Sequence, residues 1–388
     1  MKTQNIGLIL AVILSAACSK EQPGPPPLDL HPGEFISAVR CGDCHSEIYR
    51  VWSGSLHATS WRNATFQSSL KEVQGGTDAT QSCMSCHAPV ARHSQTAAAQ
   101  LMNEGVTCDW CHSIKSVDAK KKPILVALDI GAGKYGPVPN AHSTGHPATY
   151  SDLHSSSEAC SGCHEYENSQ GLQVLGTFSE WQASDFAKAG MTCQRCHMPL
   201  AALYVVDPRV KREPSSSINL HQMPGGHSKD QLFKALDMRV SEVTRHGAAL
   251  QVEVLVHNKG AGHSVPTGMP TRRIVLTTEI NGERTGKQTQ TRVYGATVQD
   301  RAGKLVDQDA AVITSGAKFV ANTRLKPGEK RTENFSFKID PDENIQIRTV
   351  LTYRYEPLGS GQPGLEIEFS EKDKESLMQY TPDRIGKD

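Results

Sequence analysis

The stretch CQRCH (Cys193, Cys196, His197) shares its cysteine and histidine positions with four earlier pentapeptides. These are CGDCH (Cys41, Cys44, His45), CMSCH (Cys83, Cys86, His87), CDWCH (Cys108, Cys111, His112) and CSGCH (Cys160, Cys163, His164). The chain of 388 residues has 11 cysteines; the five units take ten and leave only Cys18, near the start.

The spacing has a chemical reason. Two thiols separated by two residues can each add across one vinyl group of a single porphyrin, and the next residue, a histidine, is then held beneath the iron. Zinc binding by paired CxxC units leaves the repeated adjacent histidine unexplained. Disulfide pairing in an exported protein leaves it unexplained too. The motifs therefore imply five covalently bound haem c groups, attached at the ten motif cysteines and ligated by His45, His87, His112, His164 and His197. Between Cys41 and His197 long aliphatic runs are few, so the porphyrins are expected to supply apolar volume that side chains do not.

Five proximal ligands leave eleven of the 16 histidines. An imidazole on both faces of an iron gives a six-coordinate centre suited to electron transfer. His57 in VWSGSLHAT is a candidate second ligand. So is His142 in the Pro/Gly-rich loop YGPVPNAHSTGH, with His146 as its local substitute. His221 and His227 bracket MPGG, and one of the two is expected to bind iron. His263 lies in the glycine-flanked loop GAGHSVPTG, and His154 closely precedes the fourth motif. His93, six residues after its own motif histidine, is too near to reach that iron's other face, and His31, His246 and His257 read as background.

The fold class expected is a mainly helical and loop cytochrome domain followed by an all-β immunoglobulin-like sandwich. The five-haem region is placed at 35–228, with TFSEWQASDFAKA (Thr177 to Ala189) as one amphipathic helix leading into the fifth motif. A connecting segment covers 229–245. Polar and apolar residues then alternate between turn-forming residues, as in ALQVEVLVHN and RRIVLTTEIN, which places the sandwich at 246–360. A charged tail covers 361–388.

The N-terminus reads as an export signal over 1–17: Lys2, an apolar run from Ile6 to Leu14, then Ser15, Ala16 and Ala17. Cys18 stands where a lipoprotein signal places its lipidated cysteine, and 18–34 form a Pro-rich tether. Ser19 stands where many inner-membrane lipoproteins carry aspartate, which points to the outer membrane. The 41 basic and 41 acidic residues balance, so no nucleic-acid footprint shows, and the membrane is met only through the lipid anchor.

Four passages resemble the multihaem cytochromes related to cytochrome c-554 and hydroxylamine oxidoreductase. VWSGSLHA is similar to that family's W-x-x-S-x-H-A segment, which maps a second iron ligand onto His57. YGPVPNAHS resembles its GP…H loop and maps a ligand onto His142. EWQASDFAKAGMTCQRCHMP resembles its E-W…S…G-x-x-C-x-x-C-H-M-P passage. NLHQMPGGHS and GAGHSVPTGMPTRR resemble segments of multihaem cytochromes with a C-terminal β domain. The resemblance covers Cys41 to Arg273 and implies close-packed haem pairs. The motif count differs from the family's four or eight, no CxxCK occurs, and no cross-linking tyrosine is identified, so catalysis is not carried over. The expected work is electron transfer between respiratory redox proteins, such as another cytochrome or a quinol-linked complex, by a carrier rather than a catalyst. The alternative is an oxidoreductase with one open haem acting on a small nitrogen or sulfur compound.

Overall fold

The computed structural model describes residues 26–73, 77–93, 99–355 and 364–376. The expected export signal and Cys18 lie outside the described residues. Strand β1 spans Leu236–His246 and β2 spans Ala249–Asn258. In β2 the alternate residues Leu250, Val252, Val254 and Val256 are buried, while Gln251 points out, as the two-residue period of a strand requires. A two-residue turn joins the strands, and its first residue, Gly247, takes a φ of +53°. Five further strands follow: β3 (Arg272–Gly282), β4 (Gly286–Tyr294), β5 (Lys330–Lys338), β6 (Ile345–Tyr355) and β7 (Leu365–Ser376).

They form a three-stranded sheet, β5-β2-β1, and a four-stranded sheet, β4-β3-β6-β7, with antiparallel pairing throughout. Both sheets contribute to one apolar core, with Val254 and Phe335 from the first and Leu276, Leu351 and Phe369 from the second. Burying each such side chain contributes about 1.5–3 kcal/mol. The outer edge of β5 is covered by side chains of β4: Gln288 and Gln290 Nε2 and Arg292 Nη2 donate to the carbonyls of Lys338, Ser336 and Asn334, each at 2.6 Å.

Three boundaries differ from the sequence expectation. Residues 365–376, expected within a charged tail, form β7. Its charges conceal an alternation in which Phe369 enters the core while Glu366 and Glu371 pair with Arg354 (3.1 Å) and Arg348 (2.5 Å) of β6. Strand β1 falls inside the expected connector, after the helix Lys229–Ala235. The expected helix Thr177 to Ala189 is two helices, Thr177–Gln182 and Asp185–Lys188, because Ser184 interposes an extended residue and caps the second.

Upstream of residue 229, apolar side chains gather only into small groups: Phe35, Val90 and Trp110; Ala38, Trp52 and Ala58; Trp61, Leu70 and Ala88. Among them runs a cavity of about 2470 Å3, lined by all ten motif cysteines. A segment between β4 and β5 closes against this region: Val298 and Val312 pack on Leu172 and Val174. Asn168 Nδ2 donates there to the carbonyls of Val312 (3.2 Å) and Gly316 (2.8 Å). The end of the expected tether also folds back. Leu28 N–H donates to the Gly145 carbonyl at 2.8 Å and Gly33 N–H to that of Ile130 at 3.0 Å. Gly131, at φ +77°, is needed where they pass, since a Cβ there would lie 1.9 Å from the His31 carbonyl oxygen.

Candidate haem sites

Each motif lies on or beside a short helix. In the third, the Thr107 hydroxyl accepts from the Trp110 N–H at 3.2 Å and starts the single turn Cys108–Cys111. A three-residue interval on a helical turn puts both thiols on one face. In the fifth, the turn Cys193–His197 carries Cys193 and Cys196, and both line the cavity. The Cys193 N–H donates to Ser157 Oγ at 3.0 Å, joining this turn to the segment before the fourth motif. No disulfide joins any of the ten motif cysteines, and all ten line the cavity. Thiols of different motifs also touch: Cys41 with Cys108, Cys86 with Cys163, and Cys160 with Cys193.

Four motif histidines direct Nδ1 at a backbone carbonyl: His45 at Val205 (2.5 Å), His87 at Ser60 (3.3 Å), His112 at Tyr135 (2.6 Å) and His197 at Pro224 (2.6 Å). A carbonyl only accepts, so Nδ1 carries the proton and Nε2 is left as a lone pair, the tautomer that ligates metals through Nε2. His146, His221 and His263 repeat the arrangement with Pro147 (3.0 Å), Asn219 (2.8 Å) and Ser264 (3.0 Å). Burial lowers the pKa of His57 to about 4 and those of His112 and His164 to about 3, with neighbouring histidines adding to the effect. These rings are therefore neutral at physiological pH.

The rings come together in pairs. His45 faces His146 at a centroid separation of 6.2 Å, His164 faces His57 at 6.1 Å, His112 faces His221 at 6.4 Å, and His197 faces His263 at 6.2 Å. Two imidazoles on opposite faces of one metal each bond at about 2 Å, and a ring radius of about 1.2 Å beyond each nitrogen sets their centroids about 6.4 Å apart. The histidine of the second motif differs. His87 stacks on Phe66 at 3.9 Å, and no histidine ring pairs with it among the described residues.

The other candidates are not placed as second ligands in these pairs. His142 is exposed, and although it too lines the cavity it pairs with no motif ring among the described residues. His154 stacks beside His112 at 5.6 Å, but its Nε2 is taken by the Cys111 carbonyl at 2.9 Å, and its Nδ1 is buried without a partner. His227 lines the cavity near Arg272 and pairs with no motif ring. Sequence reasoning missed the carbonyls of Ser60, Tyr135, Val205 and Pro224, because a backbone acceptor leaves no residue-type signature. It also missed Phe66, which reads as an ordinary apolar helix residue.

The donor sets fit covalently bound haem: paired thiols on one face, a neutral imidazole beside them, and volume several times the roughly 300–1,000 Å3 of a single small-molecule site. The family model for cytochrome c554 and c-prime matches residues 40–113, which hold the first three motifs and His57. No curated protein matches the chain. Among solved structures, a penta-heme cytochrome c552 from Thermochromatium tepidum aligns with a TM-score of 0.68 at 20% identity, over 89% of this chain and 100% of that one. At that identity the likeness is one of fold. The motif chemistry, the family-model match across the first three motifs and the shared fold make this chain similar to the multihaem c-type cytochromes and support covalently bound haem c.

Proposed function

We propose that this chain is an electron-transfer cytochrome carrying five covalently attached haems. Four of them would be held between two histidines: His45 and His146, His57 and His164, His112 and His221, His197 and His263. The observation that carries this reading is the recurrence of one centroid separation, 6.1 to 6.4 Å, at four of the five motifs. Bound haem c supplies a one-electron iron couple. The residues' part is to present two neutral imidazoles, locked in orientation by backbone carbonyls in three of the four pairs, so that the ligand set need not rearrange between oxidation states. Contacts between thiols of the first and third, the second and fourth, and the fourth and fifth motifs support sites close enough to exchange electrons.

The partners proposed are other redox proteins. The β domain is read as an immunoglobulin-like sandwich, and the protein as exported and held at the outer membrane by a lipid on Cys18. No helix among the described residues is long and apolar enough to cross a membrane.

A second reading, an oxidoreductase with one open iron, is favoured by one observation. His87 has Phe66 against it and no facing imidazole among the described residues. Counting haem by pyridine haemochrome and titrating the reduced holoprotein with carbon monoxide tests both readings. Five haems and no carbon monoxide uptake support a pure carrier. Five haems with one equivalent bound, lost in H87A together with that haem's spectrum, support the open site. Fewer than five haems refutes the count, and uptake at several haems refutes the histidine pairs.

A further inference from the structure

Among the described residues Glu180 makes no hydrogen bond to a cysteine or histidine, yet it joins the two pieces of chain that meet at the fifth motif. It lies on the helix Thr177–Gln182, ahead of Cys193 and His197 in the same run of chain. Its carboxylate turns toward the loop that brings His263 from the β domain. Glu180 Oε2 accepts from the Ser264 N–H at 3.0 Å and the Thr267 hydroxyl at 3.3 Å, and Oε1 pairs with Arg324 Nη1 at 3.1 Å. The pair is largely shielded, with 19% and 12% of the two side chains exposed.

Burying a carboxylate is costly unless donors surround it, and all three of these donors belong to the β domain. Arg324 is itself held in place. Its Nε donates to Asn322 Oδ1 at 3.0 Å, and the next residue, Leu325, exchanges two backbone hydrogen bonds with Val265 at 2.9 and 3.0 Å. Gly262 lets the loop close, since a Cβ there would lie 3.0 Å from both Trp181 and Phe186. Asn258 fixes the far end, donating from Nδ2 to the His263 carbonyl at 3.0 Å.

We infer that Glu180 is the positioning residue of the fifth site: it latches the His263 loop to the helix preceding Cys193 and so holds His263 opposite His197. The inference rests on the reading of His197 and His263 as the ligand pair of that site. Without the carboxylate, the Ser264 N–H and the Arg324 guanidinium lose their partner at the residue next to the ligand. The β domain then keeps its own core but no longer holds the ring in place.

The test compares H263A, E180A, E180Q and the double variant E180A/H263A as full-length holoproteins. Carbon monoxide uptake is read on the reduced form and the high-spin signal on the oxidised form. H263A is expected to bind one equivalent more than the wild type. E180A is expected to gain uptake at the same haem, with low spin restored by added imidazole, and the double variant to bind no more than H263A alone. E180Q retains an oxygen that can accept from Ser264, so it is expected to keep wild-type uptake. Because it removes a nearby negative charge, it should also raise one midpoint potential. If H263A opens a site while E180A behaves as wild type, the latch is overturned and the ligand pair stands. If H263A gains nothing, the ligand pair itself fails. Should E180A yield no holoprotein, E180Q decides: unchanged potentials at every haem overturn the inference.

Discussion

Removing the carboxylate of Asp109 should destabilise the haem region by about 5 kcal/mol. Asp109 lies between the cysteines of the third motif with none of its side chain exposed, and it pairs with Lys134, which is 10% exposed. Deleting one partner of a buried pair strands the other charge and costs about 3–5 kcal/mol. Two more donors lose their acceptor, the Ile36 N–H at 2.7 Å and the Ser113 hydroxyl at 3.2 Å, at about 1 kcal/mol each if water reaches them. With a guanidinium m value of about 4 kcal/mol/M, D109A should lower the midpoint by about 1 M. Soret absorbance is the suitable probe, because it reports the haem region rather than the sandwich. Lys134 precedes Tyr135, whose carbonyl holds His112, so the loss should be felt at the third site as well. Adding K134M removes the stranded ammonium and should recover about half of the shift in the double variant. A D109A midpoint within about 0.2 M of wild type, or a double variant no better than D109A, refutes the reasoning.

Three other outcomes are expected. H146A should open the first site to carbon monoxide and produce a high-spin signal, whereas H142A should leave the spectrum as it is; absorbance titration of both variants checks this. F335A, in the core of the β sandwich, should cost about 3–5 kcal/mol, read by far-ultraviolet circular dichroism, with haem content unchanged. Replacing Gln288, Gln290 and Arg292 with alanine should uncover the edge of β5 and produce concentration-dependent association on size-exclusion chromatography.

The motifs were legible because covalent attachment needs particular residues at a particular spacing, whatever fold surrounds them. The sandwich strands were legible wherever one face is wet, as in β2. β7 was not, because glutamates and lysines crowd its outer face and hide Phe369. At the second ligands the sequence narrows the choice to a loop more readily than to a residue. NAHSTGH offers two histidines, and only the fold separates them: Ser143 Oγ accepts from the N–H groups of Gly145 and His146, both at 3.2 Å, and His146 meets His45, while His142 lines the cavity and pairs with no motif ring among the described residues. Likewise His221 and His227 differ through a local contact, the bond from His221 Nδ1 to the Asn219 carbonyl. Glu180 opens the family-like E-W passage, but its part in holding the His263 loop left no trace in the sequence, since its partners lie more than eighty residues further on.

The order of the paired rings along the chain carries a consequence for biosynthesis. In three pairs the second ring lies after the motif: His146 follows His45, His221 follows His112, and His263 follows His197. Only His164 meets a partner already made, His57. A chain emerging from its N-terminus thus has both rings of the first pair once His146 is out, then those of the fourth motif, the third and finally the fifth. The last pair also waits for Arg324 and Leu325, which steady the His263 loop. A molecule truncated within the β domain before Leu325 would carry every attachment motif and still be unfinished at one of them, so completion of that site reports that the chain has been made as far as Leu325.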